Sequence, residues 1–273
     1  MENTKPKEKS EVPALESAIK VLEYLSRYTT KERSISQIAK NLSINKSTCH
    51  RILKVLNQYR YISFDEGTKQ YNLGPALLIL GSRAAEFIDY LKLAKPHLKW
   101  LAEQTGVTCV LLEQASDDRL MYVAKEEPDH PDNHIHVSVK LGQQFPLTGA
   151  SFGKCYLAYI EDEKRNEMIQ KVNLQPFTDK SIIDIETFLD SLNDVRQKGY
   201  SVSYEEYTQG VFGVAAPIFN SYGQISMVIA CLGFASNANE EYVAFCGEKL
   251  KEASKGIMDA IGGEKPVLEE WNH

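Results

Sequence analysis

Between Ser34 and Tyr59 apolar residues recur at helical spacing, pause, and recur again. Ile35, Ile38, Ala39 and Leu42 lie at i, i+3, i+4 and i+7, one stripe of a short helix. Ser34 stands just before that stripe with Gln37 three residues on, a capping-box arrangement that satisfies orphan backbone donors. Ser43-Ile44-Asn45 breaks the rhythm, and Asn45 is a good N-cap for a second helix with Cys49, Ile52, Leu53 and Leu56 on one face. Upstream, Leu15, Ala18, Ile19, Leu22 and Leu25 predict a first helix over 15–28, with 29–33 as the connecting loop. Downstream the period drops to two. Ile62 and Phe64, then Tyr71 and Leu73, flank Asp65-Glu66-Gly67-Thr68, a hairpin signature. Three helices followed at once by a hairpin predict a winged helix–turn–helix over residues 14–75.

After Gly74-Pro75, residues 76–93 read as one helix. Leu77, Gly81, Ala84, Ile88 and Leu91 form a heptad-like seam that Leu78 and Ala85 widen. The seam predicts a linker helix that pairs with its counterpart in a second subunit; burial against its own domain would use the same face. From Ala94 the pattern alternates between helix and strand. Helices are expected over 94–105, 149–160, 163–172, 185–198 and 240–261. Strands are expected over 107–114, 120–125, 135–140, 200–205, 214–219 and 224–234. Strands joined by short turns around a helical insertion predict an α+β sensor domain over 94–262 with a largely antiparallel sheet. The polar residues 1–13 and the end, 263–273, read as tails.

Composition narrows the class. The 273 residues are 43% hydrophobic and 25% charged, an ordinary mix for a soluble two-domain protein. No apolar run is long enough to span a bilayer and the N-terminus is charged, so no membrane association and a cytoplasmic location are expected. Five cysteines without a CxxC pair fit reduced thiols. The net charge of −6 hides an asymmetry: residues 1–75 carry 13 Lys and Arg against 8 Asp and Glu, and the remainder 18 against 29. Only the N-terminal quarter therefore suits a polyanion.

The solvent face of the second helix of the pair collects Lys46, Ser47, His50, Arg51 and Lys54, with Thr48 beside them near its N-terminus. In a major groove such a helix offers its first residues to base edges and its cations to phosphates. Ser36 and Gln37 on the preceding helix, Asn45 in the turn and Lys69 near the wing tip complete the candidate DNA surface. The expected partner is double-stranded DNA, read as an inverted repeat by a two-fold oligomer.

At this point the chain resembles the IclR family of bacterial transcription regulators, from Ala14 to about Gly262. The resemblance rests on the helix–turn–helix with STCHRILKVL (Ser47–Leu56), on PLTGASFGKCYLAY (Pro146–Tyr159), and on KGYSVSYEEYTQGVFGVAAPIFNSYGQISMVIACLGF (Lys198–Phe234). It implies a DNA-binding N-terminal domain, a GAF-like effector domain and oligomers of paired dimers. It also implies an effector pocket whose contacts fall on Ser151, Phe152, Ser203, Gly213, Ala230 and Leu232. The chain departs from small-acid-binding members there: Phe152 replaces a small residue, Ser203 stands where an acidic one occurs, and Ala230 and Leu232 occupy positions where serine is also used. Independently of the family, Thr148-Gly149-Ala150-Ser151-Phe152-Gly153 reads as a helix start. Exposed N–H groups and the helix dipole there favour a carboxylate, although simple capping of a structural helix would look the same. A small organic acid is the expected effector.

Other chemistry is thinner. His134 and His136 share one face of an expected strand near Asp129, His130 and Asp132, but no full ligand set accompanies them, so no metal is expected. Glu205 and Glu206 would point to opposite faces of a strand and read as structural. Cys109, Cys155 and Cys231 sit in apolar runs, where a thiol is inert. No phosphate loop, nucleophile elbow or dinucleotide fingerprint appears, so no cofactor and no catalytic residues are expected. Two functions compete: a ligand-controlled DNA-binding regulator, expected to act as a repressor, and a small-molecule-binding or catalytic GAF-like domain whose helix–turn–helix is only an interaction module. Lys46, Arg51 and Lys54 on one helical face favour the first.

Overall fold

The computed structural model describes residues 12–27, 33–87, 89–129, 136–172 and 174–266, which divide into two compact units between residues 88 and 89. In the first unit α1 (Pro13–Ser26), α2 (Ile35–Asn41) and α3 (Lys46–Gln58) enclose Val21, Leu25, Ile38, Cys49, Leu53 and Ile62, all buried. The caps form as their residue types dictate. Gln37 Oε1 accepts from the Ser34 amide at 3.0 Å and from its hydroxyl at 2.6 Å, and Asn45 Oδ1 accepts from the Ser47 amide at 3.0 Å. Strands β1 (Ile62–Asp65) and β2 (Gln70–Leu73) pair antiparallel from Ile62↔Leu73 to Asp65↔Gln70, and helix α4 (Ala76–Phe87) follows.

One local expectation changes in this unit. The buried residues of α1 are Val21, Tyr24 and Leu25, with Ala18 and Leu22 packed against the same core, whereas Leu15 and Ile19 are 58% and 47% exposed. The helix is apolar around most of its circumference, so spacing alone did not fix which side meets the core. Across the stretch expected as one helix over 76–93, α4 runs to Phe87 and α5 from Asp89, on either side of Ile88. Of its seam, Leu77 is half-buried and Gly81 exposed, while Leu91 packs with the core of the second unit. Ile88 and the side chains of Ala84 and Ala85 lie outside the described residues.

The second unit is built on a six-stranded sheet ordered β5-β4-β3-β8-β7-β6, every neighbour antiparallel. Its strands are β3 (Thr108–Ser116), β4 (Arg119–Glu126), β5 (Gln144–Pro146), β6 (Ser201–Tyr204), β7 (Val211–Phe219) and β8 (Ile225–Phe234). One face carries α5 (Asp89–Thr105) and α9 (Glu240–Ile261); the other carries α6 (Ala150–Ala158) and α8 (Ile185–Lys198), with α7 (Asp162–Val172) between them in sequence. β7 and β8 are buried along nearly their whole length because helices cover both faces of the sheet there, which explains their unbroken apolar runs. The molecule is thus α+β, a winged helix–turn–helix unit plus an antiparallel sheet layered with helices.

The strand expected over 135–140 is not formed across 136–140, and Ile135 lies outside the described residues. The free edge of β4 is already taken, by β5 through Arg119↔Pro146 and Met121↔Gln144 and by Gln143 O accepting from the Tyr122 amide at 3.1 Å. Val137 and Val139 alternate because they cover a cavity, not because they pair. β5 escaped notice because three residues ending in proline carry no periodic signal.

Candidate functional site

On the first unit, α3 turns Cys49, Ile52, Leu53 and Leu56 inward and leaves Lys46, Ser47, His50, Arg51 and Lys54 exposed, with Thr48 half-buried. Asn45 and Ser36 are also exposed, and Gln37 is half-buried. Some of these groups already have partners. Gln37 spends its carbonyl on Ser34, and Ser47 Oγ donates to Asn45 Oδ1 at 2.8 Å. The N-cap therefore orders the end of the helix that would enter a groove. In the wing, Asp65 Oδ1 accepts from the amides of Gly67 and Thr68 at 2.8 and 2.9 Å. Lys69 takes a left-handed φ of 56° that starts the return strand. Its ammonium lies 2.9 Å from Glu66 and 5.8 Å from the centre of the Phe64 ring. Such an exposed pair is worth little and is readily exchanged for a phosphate. Arg33, which the sequence did not single out, ties the approach to α2 to the wing: its Nη1 donates to Asn72 Oδ1 at 2.6 Å.

In the second unit a cavity of about 240 Å³ lies between the start of α6, the sheet and the segment around Val137. Four of the six effector positions implied by the resemblance line it: Phe152, Ser203, Gly213 and Leu232. The sheet register explains the grouping, because Ser203 pairs with Gly213 and Gly213 with Leu232, one row across β6, β7 and β8. Ala230 belongs to the next row, opposite Ala215, where Ser201 Oγ donates to the Ser151 carbonyl at 2.6 Å and α6 covers the sheet. Ala230 is fully buried and is not among the lining residues. Ser151 sits just behind the wall. A Cβ on Gly213 would come within 2.6 Å of Ser151 Oγ, so glycine is what lets β7 and α6 approach this closely. The buried hydroxyls of Ser151 and Thr148 have no hydrogen-bond partner among the described residues. Gly153 is required for a similar reason, since its Cβ would meet the Leu147 carbonyl at 2.2 Å.

Aromatic rings make up much of the wall. Phe145 contacts Tyr122 at 4.6 Å, Phe152 at 5.0 Å and Tyr207 at 5.4 Å between ring centres, all tilted or edge-on. Burial, then the neighbouring Tyr207 phenol, pushes the Tyr122 hydroxyl well above the usual tyrosine range, so it stays a neutral donor. Tyr207 reaches the cavity from the loop after β6, which is fixed at several points. Lys154, buried in α6, pairs with Glu206 at 2.7 Å, and Lys180 pairs with Glu205. Thr178 and Ser181 donate to the carbonyls of Glu205 and Glu206, each at 2.6 Å. Glu205 and Glu206 hold a loop in place, a structural role. Tyr122, Phe145 and Tyr207 were not anticipated, because nothing in their local spacing marks a cavity.

His130, Asp132 and His134 lie outside the described residues. Among the described residues no three His, Cys, Asp or Glu side chains are arranged to hold a metal, and no helix is long and apolar enough to cross a membrane.

Two family models match the chain, the IclR helix-turn-helix domain over residues 14–66 and the bacterial transcriptional regulator IclR C-terminal domain over residues 83–259. The HTH-type transcriptional repressor AllR of Salmonella paratyphi A is 27% identical, over 93% of this chain and 92% of its own. An IclR transcriptional regulator from Alicyclobacillus acidocaldarius superposes with a TM-score of 0.84 at 36% identity, over 93% of this chain and 100% of its own. A homologue from Microbacterium hydrocarbonoxydans, solved in complex with 4-hydroxybenzoate, shares the fold with a TM-score of 0.74 at 21% identity, over 91% and 99%. Motifs, fold and matched domains agree: the chain belongs to the IclR family of bacterial transcription regulators, which bind DNA through this helix–turn–helix.

Proposed function

We propose that the protein is a cytoplasmic repressor, dimeric or a dimer of dimers on an inverted-repeat operator, and that a single-ring aromatic carboxylic acid controls it. The observation that carries the effector reading is the cavity walled by Tyr122, Phe145, Phe152 and Tyr207, with the unpartnered Ser151 hydroxyl behind it at the start of α6. A buried hydroxyl without a partner costs ~1–3 kcal/mol, which an incoming carboxylate oxygen would relieve. The N-terminal amides of α6 favour the same charge. The rings and Leu232 suit a flat apolar body. At about 240 Å³ the space fits one ring rather than two. Repression is supported by the similarity to AllR. The acid acts only through its differential affinity for the DNA-competent and DNA-free arrangements.

The test is release of the protein from a footprinted operator upstream of its own gene, titrated with benzoate, 4-hydroxybenzoate, glyoxylate and pyruvate. Aromatic acids are expected to release DNA at the lowest concentrations. Ser203→Leu, which fills the cavity, is expected to bind DNA normally and ignore them. If glyoxylate or pyruvate acts best, or if Ser203→Leu responds like wild type, the cavity reading is wrong.

A further inference from the structure

Three of the five cysteines converge where α5 and α9 pack on β3 and β8. Cys109 and Cys231 are direct partners in the antiparallel register of β3 and β8, and their sulfurs lie 3.6 Å apart. Residues opposite one another in such a pair hold their Cα atoms ~4.5–5.5 Å apart, within the ~4.4–6.8 Å that disulfides span. Bridging these two sulfurs thus asks for side-chain rotation, not strand movement. Thr105 Oγ1 lies 3.7 Å from Cys109 Sγ and 4.0 Å from Cys231 Sγ, while its own hydrogen goes to the Leu101 carbonyl at 2.7 Å. Its lone pairs are therefore left to face the thiols. Cys246, on α9, is held below the usual thiol range chiefly by its interaction with Cys231, whereas burial pushes Cys231 up. Each cysteine alone fits the inert thiol that its apolar run predicts; the strand register is what places two of them in contact.

The location matters for function. Cys231 precedes Leu232, and successive strand residues face opposite sides of the sheet. The thiols thus lie directly behind the cavity wall that Leu232 helps to form. Thr108, opposite Leu232 in the register, donates to the Val137 carbonyl in the cavity's covering segment at 3.2 Å.

We propose that Cys109 and Cys231 are a redox-responsive dithiol, which a peroxide converts to an intramolecular disulfide between the two strands behind the cavity. One thiol of the pair, deprotonated, attacks the peroxide. A sulfur–oxygen bond forms, the oxygen–oxygen bond breaks, and the departing hydroxide takes up a proton and leaves as water. The second sulfur then attacks the sulfenic sulfur, so that the sulfur–sulfur bond forms and the sulfur–oxygen bond breaks. The proton of the second thiol leaves with that hydroxide as another water. The two sulfurs together give up two electrons and the peroxide is reduced to two waters. Both thiols are fully buried, so the reaction runs through local opening of the strands and α9 and is slower than at an exposed cysteine. The chemistry does not depend on which effector fills the cavity.

The experiment treats the full-length folded protein with hydrogen peroxide, blocks remaining thiols with an alkylating agent, and maps disulfides by mass spectrometry without reduction. The expected result is two fewer alkylatable thiols and a Cys109–Cys231 linked peptide within one chain, with dithiothreitol restoring both thiols. Cys155→Ser should keep the response and Cys231→Ser should lose it. Mapping on wild-type protein stands even if a variant folds poorly. The proposal is overturned if all five thiols survive peroxide, if the bond joins another pair or two chains, or if only irreversibly oxidised sulfur is found.

Discussion

Gly213 sets how closely β7 approaches the start of α6, and one methyl group is enough to test it. A Cβ there would lie 2.6 Å from Ser151 Oγ and 3.3 Å from a methyl of Leu232. Overpacking of that kind typically costs ~1–3 kcal/mol. Gly213→Ala is therefore expected to lower the melting temperature of the second unit by several degrees, on the order of 2–4 °C per kcal/mol. It should also weaken aromatic acids more than it weakens DNA. A calorimetric melt unchanged from wild type would show that the wall has more give than the distances allow. On the first unit, Arg51 is exposed on the face of α3 opposite its buried residues Cys49, Ile52, Leu53 and Leu56. Arg51→Ala should leave the melt unchanged, reduce operator affinity, and lower the salt dependence by about one unit of slope for each recognition helix. Equal slopes for variant and wild type across a salt series would remove Arg51 from the phosphate contacts.

At the level of single elements, the wing is held by one carboxylate. Amides of Thr68 and Gly67 donate to Asp65, the Thr68 bond weighing most, and hold its pKa below the ordinary 3.8. A carboxyl whose pKa is depressed on folding contributes order that is complete above its ordinary value and is lost as pH falls through the folded value. The Gly67 and Thr68 amide resonances should therefore shift together on acidification below about pH 4. In Asp65→Asn, which keeps the acceptor but not the charge, they should stay flat; identical titrations in the two proteins would discard this account. The hairpin was legible because turn chemistry and period-two alternation coincide within twelve residues, Ile62–Leu73. The capping box at Ser34 and the N-cap at Asn45 were legible for the same reason: cap, partner and stripe are all local. Longer-range features were hidden. The alternation in 136–140 has the period of a strand, but whether it pairs depends on who holds the edge of β4, and that is a tertiary outcome. The aromatic wall draws Tyr122 from β4, Phe145 from β5, Phe152 from α6 and Tyr207 from a loop, and no spacing rule joins them. The same holds for Cys109 and Cys231, which only the β3–β8 register brings together.

For the whole molecule, the charge asymmetry and the exposed apolar residues bear on one question, how many copies act together. The first unit leaves Leu15 and Ile19 on α1 open to solvent, and on α4 Leu78 is 76% exposed, with Ile79 and Leu80 beside it also exposed. Single exposed leucines need no explanation, but adjacent ones on a helix that follows a DNA-binding hairpin fit a surface covered by a second copy. In a two-fold interface each residue occurs twice. Burying one leucine is worth ~1.5–3 kcal/mol, so losing two copies costs ~3–6 kcal/mol, roughly 10²–10⁴-fold in dimer dissociation. Leu78→Glu is expected to have that effect on association alone. Because the side chain is mostly exposed in the single chain, the variant should fold and melt as wild type does. Sedimentation should show wild type as at least a dimer at micromolar concentration and the variant shifted toward monomer. On DNA, the monomer can hold only one half-site, so both affinity for the inverted repeat and the salt slope should fall, the slope by about half. A monomeric wild type would overturn the dimer, and a variant that dimerises as tightly as its parent would place the subunit contact elsewhere.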